Sequence, residues 1–171
     1  MDISYRAASP EDALCLSVLG TQVFLDTYAT QGIRPALARE VVELFSIEAF
    51  SGLLSSLSTA ILVAEQDGHL IAFAELTFDS RHELVPWEPV IELRRLYVQE
   101  RFTSKGVGRA LLQRSEELAA ERGACALWLK AWVGNQRALA FYPRNGYKEV
   151  GATSYIYEND VYETRVFVKE V

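Results

Sequence analysis

Two stretches in the second half of the chain hold residue types that could grip and activate a ligand. Lys105-Gly106-Val107-Gly108-Arg109-Ala110 follows the apolar run Leu93 to Val98 and opens a helical pattern. Further on stands Asn135-Gln136-Arg137-Ala138-Leu139-Ala140-Phe141-Tyr142, closed by Gly146-Tyr147. Glycine admits positive φ and a close approach of backbone to ligand, and the first turn of a helix leaves N–H groups unpaired at the positive end of the dipole. Such an end binds anions, phosphate above all. The third glycine of G-x-G-x-x-G and the Gly-Lys-Ser/Thr ending of a P-loop are both missing, so neither of those motifs is present. A tight turn before a helix, with no ligand, is the bland alternative.

The second stretch alters that balance. On a helix at about 100° per residue, Asn135 and Tyr142 share one face, roughly 10 Å apart along the axis. Ala138 lies between them and Phe141 is expected to face the core. An amide, a methyl and a phenol then line one side, which is a ligand-facing pattern.

These residues need a scaffold. Ile3 to Ala7 reads as a strand, and Ser9-Pro10-Glu11-Asp12 as a helix start with Ser9 as N-cap and Pro10 at N1. That helix runs through Leu14, Val18, Val23 and Phe24 toward Tyr28, with Gly20 in its middle. Gly32 and Pro35 break the chain. Helical patterns follow from Ala36 to Phe45 and from Ile47 to Leu57, the latter capped by Ser46. Thr59–Glu65 and Leu70–Thr77 flank Asp67-Gly68, a strong hairpin signal, and residues 78–89 read as a loop. In the strand Val90–Val98, apolar parity switches at Arg94-Arg95, as a β-bulge would produce; burial on both faces is the alternative. Behind the glycine turn, Ala110, Leu111, Leu112, Ser115, Leu118 and Ala119 recur at helical spacing, with Gly123 as the stop. Ala124–Trp132, Tyr147–Val150 and Val161–Val168 complete the strands. Pro143, directly after Tyr142, removes an N–H and disfavours helical geometry before it, so the helix is expected to end or kink there.

Composition bounds the function. The 171 residues, half of them apolar, suffice for one core, and a single domain spanning 1–171 is expected. The net charge of −6 lacks the basic footprint that nucleic acid requires. Neither a signal peptide nor a membrane span is evident, so a cytoplasmic location is expected. Cys15 and Cys125 make no metal spacing and read as buried free thiols. His69 and His82 read as solvated.

At the level of motifs, the chain resembles the GCN5-related (GNAT) N-acetyltransferases, which use acetyl coenzyme A and no metal. The likeness covers most of the chain and is densest from Glu92 to Tyr147. It departs at Thr103, where the family usually has Gln or Arg. The resemblance implies an α+β fold: a GNAT-like, mixed, largely antiparallel seven-stranded sheet, helices on both faces, and a central splayed strand pair. It assigns Leu96, Tyr97 and Val98 to pantetheine. Ser104, Lys105, Gly106, Val107, Gly108, Arg109 and Ala110 fall to pyrophosphate, and Asn135 to the pantetheine arm. Tyr142 becomes the general acid, close to the cofactor. Amide formation also needs a base to take the amine's proton, and Glu92 is the candidate, an ion pair with Arg94 or Arg95 being its bland alternative.

Looser matches, among them Phe24-Leu25-Asp26-Thr27-Tyr28 and Trp128-Leu129-Lys130-Ala131-Trp132, are similar to PaiA-type spermine/spermidine acetyltransferases. On that likeness the acceptor is a polyamine, with Asp26, Tyr28, Glu75 and Tyr155 as contacts. A protein, peptide, amino-acid or antibiotic acceptor, or a non-catalytic CoA-binding regulatory module, stays open, as does homodimerisation.

Overall fold

The computed structural model describes residues 2–171. In chain order they form β1 (Ile3–Ala7), α1 (Ala13–Tyr28), α2 (Pro35–Leu44), α3 (Ile47–Ser55), β2 (Thr59–Gln66), β3 (His69–Phe78), β4 (Val90–Val98), α4 (Val107–Glu121), β5 (Ala126–Trp132), α5 (Gln136–Arg144), β6 (Lys148–Tyr157) and β7 (Asp160–Glu170). The fold is α+β. Its seven strands make one mixed, largely antiparallel sheet in the order β1-β2-β3-β4-β5-β7-β6, with the parallel pair β4 and β5 at its centre. The chain divides into two compact units, Met1–Leu76 with Arg95–Gln113, and Thr77–Arg94 with Arg114–Val171.

In the first unit, β1 pairs antiparallel with β2, Ile3 opposite Gln66 through Ala7 opposite Leu62. The chain enters α1 through a 3-10 turn, Pro10–Asp12, closed by a capping box between Ser9 and Asp12. Asp12 is held from the other side by the Arg6 guanidinium at 2.7 Å, and this hydrogen bond keeps its carboxyl below the usual range. Gly20 does not interrupt α1. The Phe45 ring occupies the place a Cβ would take, 2.5 Å from that position, so glycine here admits close packing. Leu16, Phe24, Phe45, Phe50 and Phe73 form the core of this unit. Pro35 begins α2 at N1 instead of ending the preceding segment. Ser46 caps α3, accepting from the Ala49 N–H at 3.0 Å. At the β2–β3 turn Asp67 and Gly68 take φ of 50° and 77°, the left-handed pair that a tight hairpin requires.

In the second unit, β5 pairs antiparallel with β7 from Ala126 opposite Glu170 to Trp132 opposite Thr164. Trp128, Val166, Val168, Val90 and Ala126 make its core. β6 runs to Tyr157, seven residues past the expected end at Val150, paired along its length with β7. Past Val150 the strand passes through Gly151, Ala152, Thr153 and Ser154, small and polar residues that carry no apolar run, before Tyr155, Ile156 and Tyr157. A register shift falls between Glu149 and Gly151. On β4, Val90 to Leu93 are all buried, so apolar parity does not distinguish faces over that half, and its pairing with β5 runs from Val90 to Glu92. Both cysteines are exposed, contrary to expectation. Cys15 is on the outer side of α1, and Cys125 precedes β5.

Candidate functional site

Within the first unit, the end of β4 leads into the glycine turn. Leu96, Tyr97 and Val98 are half-buried, with the Tyr97 ring 5.3 Å from Phe73 and 6.1 Å from Phe45. Ser104 and Gly106 both take left-handed backbone, with φ of 60° and 85°. Val107 is buried and pins the turn, and Leu111 and Leu112 continue its anchorage one turn on. Ser104, Lys105, Gly106 and Arg109 stay exposed, and no atom lies within 4 Å of the place a Gly106 Cβ would occupy. The Ala110 N–H closes the first helical bond on the Gly106 carbonyl at 2.9 Å. The N–H groups of residues 107–109 are therefore first-turn donors without an intrahelical acceptor. With the cations of Lys105 and Arg109 beside them, they suit a diphosphate. A cleft of about 760 Å³ is lined by Gln22, His69, Ile71 and Gln99 to Phe102, the segment that precedes the turn in sequence.

The candidate acceptor residues of this unit differ in exposure. Asp26 is exposed near the end of α1, and Tyr28 stacks on Phe24 with centroids 4.5 Å apart. Glu75 is 0 % exposed and accepts a hydrogen bond from Arg95. Arg95 also lies over the Phe45 ring at 5.1 Å. Burial alone would pull the Arg95 guanidinium down, but the Glu75 carboxylate beside it makes the net shift upward. Burial pushes the Tyr97 phenol up to about 12, with Arg95 opposing and Glu75 assisting. Arg95 thus pairs with Glu75, twenty positions away, and not with Glu92.

In the second unit, Glu92 is 5 % exposed. Its partner is neither Arg94 nor Arg95 but Ser80, whose hydroxyl donates to Oε2 at 2.7 Å. The Ser80 carbonyl in turn accepts from Trp128 Nε1 at 2.8 Å. Trp128 also carries the His82 ring at 5.0 Å, so His82 is half-buried and not solvated as expected. His69 is exposed.

α5 departs from expectation in three ways. Asn135 is its N-cap and not a member of its face, since Oδ1 accepts from the Ala138 N–H at 3.0 Å. The helix continues past Tyr142 and includes Pro143. Tyr142 is the buried aromatic, 8 % exposed, whereas Phe141 is half-buried. The Tyr142 ring packs on Phe167 and Tyr147 at 5.9 and 5.6 Å. Tyr155 is a strand residue of β6, with its ring 5.9 Å from that of its cross-strand partner Tyr162. Among the described residues no cluster of His, Cys, Asp and Glu could hold a metal, and no helix is long and apolar enough to cross a membrane.

Residues 29–147 match the model of the Acetyltransferase (GNAT) family. The chain belongs to the GNAT acetyltransferase family. It is an N-acetyltransferase by that membership and by its relatives. The uncharacterised N-acetyltransferase YhfO of Bacillus subtilis is 33% identical over 114 residues, 65% of this chain and 74% of that protein. The spermidine N(1)-acetyltransferase of Thermoplasma acidophilum is 28% identical over 152 residues, 86% of this chain and 89% of that protein. Among solved GNAT structures, the PaiA N-acetyltransferase of Thermoplasma acidophilum, in complex with coenzyme A, superposes with a TM-score of 0.80 at 24% identity over 100% of both chains.

Proposed function

We propose that this GNAT protein transfers acetyl from acetyl-CoA to a primary amine of a small molecule, a polyamine such as spermidine or spermine. The observation that carries this is the Ser104–Ala110 turn: left-handed at Ser104 and Gly106, open to solvent, pinned by Val107 and followed by a helix. Its first-turn N–H groups, with Lys105 and Arg109, would hold the pyrophosphate. Leu96, Tyr97 and Val98 would hold pantetheine through their strand backbone. Acetyl-CoA supplies a thioester carbonyl open to attack by nitrogen.

An amine that is protonated at neutral pH must lose a proton before it attacks, and the departing thiolate must gain one. Glu92, oriented by Ser80, would take the first proton directly or through a water. The Tyr142 phenol would give the second. The relative from Thermoplasma acidophilum that is named for spermidine supports the polyamine as acceptor. Asp26 is an exposed carboxylate suited to an ammonium group, and Tyr28 an aromatic face suited to its methylene chain. Tyr155 would extend such a contact. Glu75 is wholly buried and already bonded to Arg95, which makes it the weakest of the four.

Gly108→Glu tests the cradle. A carboxylate set where a diphosphate should sit abolishes acetyl-CoA binding in calorimetry while the far-UV spectrum of the fold survives. Wild-type affinity in the folded variant contradicts the assignment.

A further inference from the structure

The C-terminal end of α5 is tied to α4 through one hydroxyl, and through the carboxylate that accepts from it to β7. The Tyr147 N–H donates to the Tyr142 carbonyl at 3.1 Å, and the Gly146 N–H to the Pro143 carbonyl at 3.1 Å. Gly146 is left-handed, with φ of 88°. This is a Schellman closure, in which the residue after the glycine characteristically packs on the one whose carbonyl it caps. Here those two residues are Tyr147 and Tyr142, their rings edge to face at 5.6 Å. The closure matters more than usual in α5, because Pro143 lacks the N–H that would bond the Leu139 carbonyl. The turn that carries Tyr142 is short of one rung.

The cap residue itself is anchored. The Tyr147 hydroxyl donates to Glu116 Oε1 on α4 at 3.1 Å. Lys169 on β7 donates to Glu116 Oε2 at 2.8 Å, and its ammonium lies 5.7 Å from the centre of the Tyr147 ring. Tyr147 is buried, and its phenol is pushed well above the ordinary range, by burial first and by the Glu116 carboxylate second. It therefore remains a protonated donor throughout the working pH range.

We infer that Tyr147, held by Glu116 and Lys169, is a positioning residue for Tyr142, fixing the turn of α5 that Pro143 has weakened. The inference rests on the proposed role of Tyr142 as acid, and it adds that the phenol's placement depends on a hydroxyl that never meets substrate. A sequence in which position 147 were Phe would keep the packing and lose the anchor.

Tyr147→Phe in the full-length protein is the direct test, because it retains the ring and the backbone cap. Amide exchange read by NMR should quicken about tenfold at Asn145 and Tyr147, whose N–H groups bond Tyr142, and stay unchanged in β7. With an acceptor that the wild type uses, kcat should fall about tenfold while KM for acetyl-CoA stays within about twofold, as misplacement of a reacting group predicts. Glu116→Gln, which keeps an acceptor oxygen, should retain most of the wild-type rate. Glu116→Ala should match Tyr147→Phe, and the double variant should be no worse than either. Unchanged exchange in Tyr147→Phe overturns the inference, as does faster exchange with undiminished kcat in an enzyme that Tyr142→Phe does disable. Failure of the acid role appears separately, as full turnover in Tyr142→Phe, and the exchange arm does not depend on turnover.

Discussion

Three glycines of this chain have almost the same backbone and the same surroundings, and only one of them belongs to the proposed cradle. Gly68, Gly106 and Gly123 have φ of 77°, 85° and 79°, and none has an atom within 4 Å of where a Cβ would stand. Substitution by alanine therefore meets no clash at any of them. The cost is the left-handed backbone alone, about 1–2 kcal/mol each. For a chain of this size that lowers Tm by about 2–4 °C per kcal/mol, so the three variants should unfold within a few degrees of one another. Affinity for acetyl-CoA should separate them. At Gly106 the open space is where a diphosphate must approach the backbone, and a methyl group there should weaken binding at least about tenfold, roughly 1.4 kcal/mol. Gly68→Ala and Gly123→Ala should bind as the wild type does. Calorimetric titration with acetyl-CoA, paired with thermal unfolding of the same samples, reads both quantities. Equal affinity across the three variants refutes the placement of the pyrophosphate, and a common loss means that strain, not the cradle, is being measured.

Tyr142→Phe should lower kcat by roughly 10²–10⁴, the usual span for a lost general acid, with acetyl-CoA affinity in calorimetry unchanged. Gly20→Ala should cost up to about 2 kcal/mol in denaturant unfolding, because overpacking against Phe45 at about 1–3 kcal/mol opposes a helix-propensity gain of about 1 kcal/mol. Stability should decline above about pH 10, where an unfolded tyrosine ionises. The folded Tyr97 phenol keeps its proton until about pH 12, so the unfolded state gains relative to the native one across that interval. Tyr97→Phe should make this alkaline limb shallower in urea titrations at stepped pH, with the part that the raised Tyr147 phenol contributes remaining.

What could be read in the sequence was mostly local. The Asp67-Gly68 turn, the Ser9 and Ser46 caps and the glycine turn before α4 are each settled by a few adjacent residues and their backbone preferences. Asn135 is legible in the same way, although its seven-residue spacing to Tyr142 points instead to a shared helical face. Its type, directly before a helical run, is an N-cap signal. The contacts that orient the candidate groups are of another kind. Ser80 with Glu92, Arg95 with Glu75 and Tyr147 with Glu116 are separated by 12, 20 and 31 positions, and no spacing rule reaches across loops and sheet neighbours. Pro143 misled for a related reason. Proline in the last turn of a helix sacrifices one bond, and the Schellman closure by Gly146 and Tyr147 supplies the order that the missing bond would have given. The inner half of β4 hid its geometry because both faces are buried. Cys15 and Cys125 were misjudged because apolar neighbours in sequence lie on the opposite side of a helix or at a strand's entry.

The measurement that bears most directly on the account is release of free CoA from acetyl-CoA in the presence of single amines. Spermidine and spermine stand beside amino acids, peptides and aminoglycosides in the panel. Turnover with the polyamines, abolished in Gly108→Glu and sharply reduced in Tyr142→Phe, is the expected result. Acetyl-CoA that binds tightly yet is consumed with no amine of the panel, or a Tyr142→Phe enzyme as fast as the wild type, contradicts it.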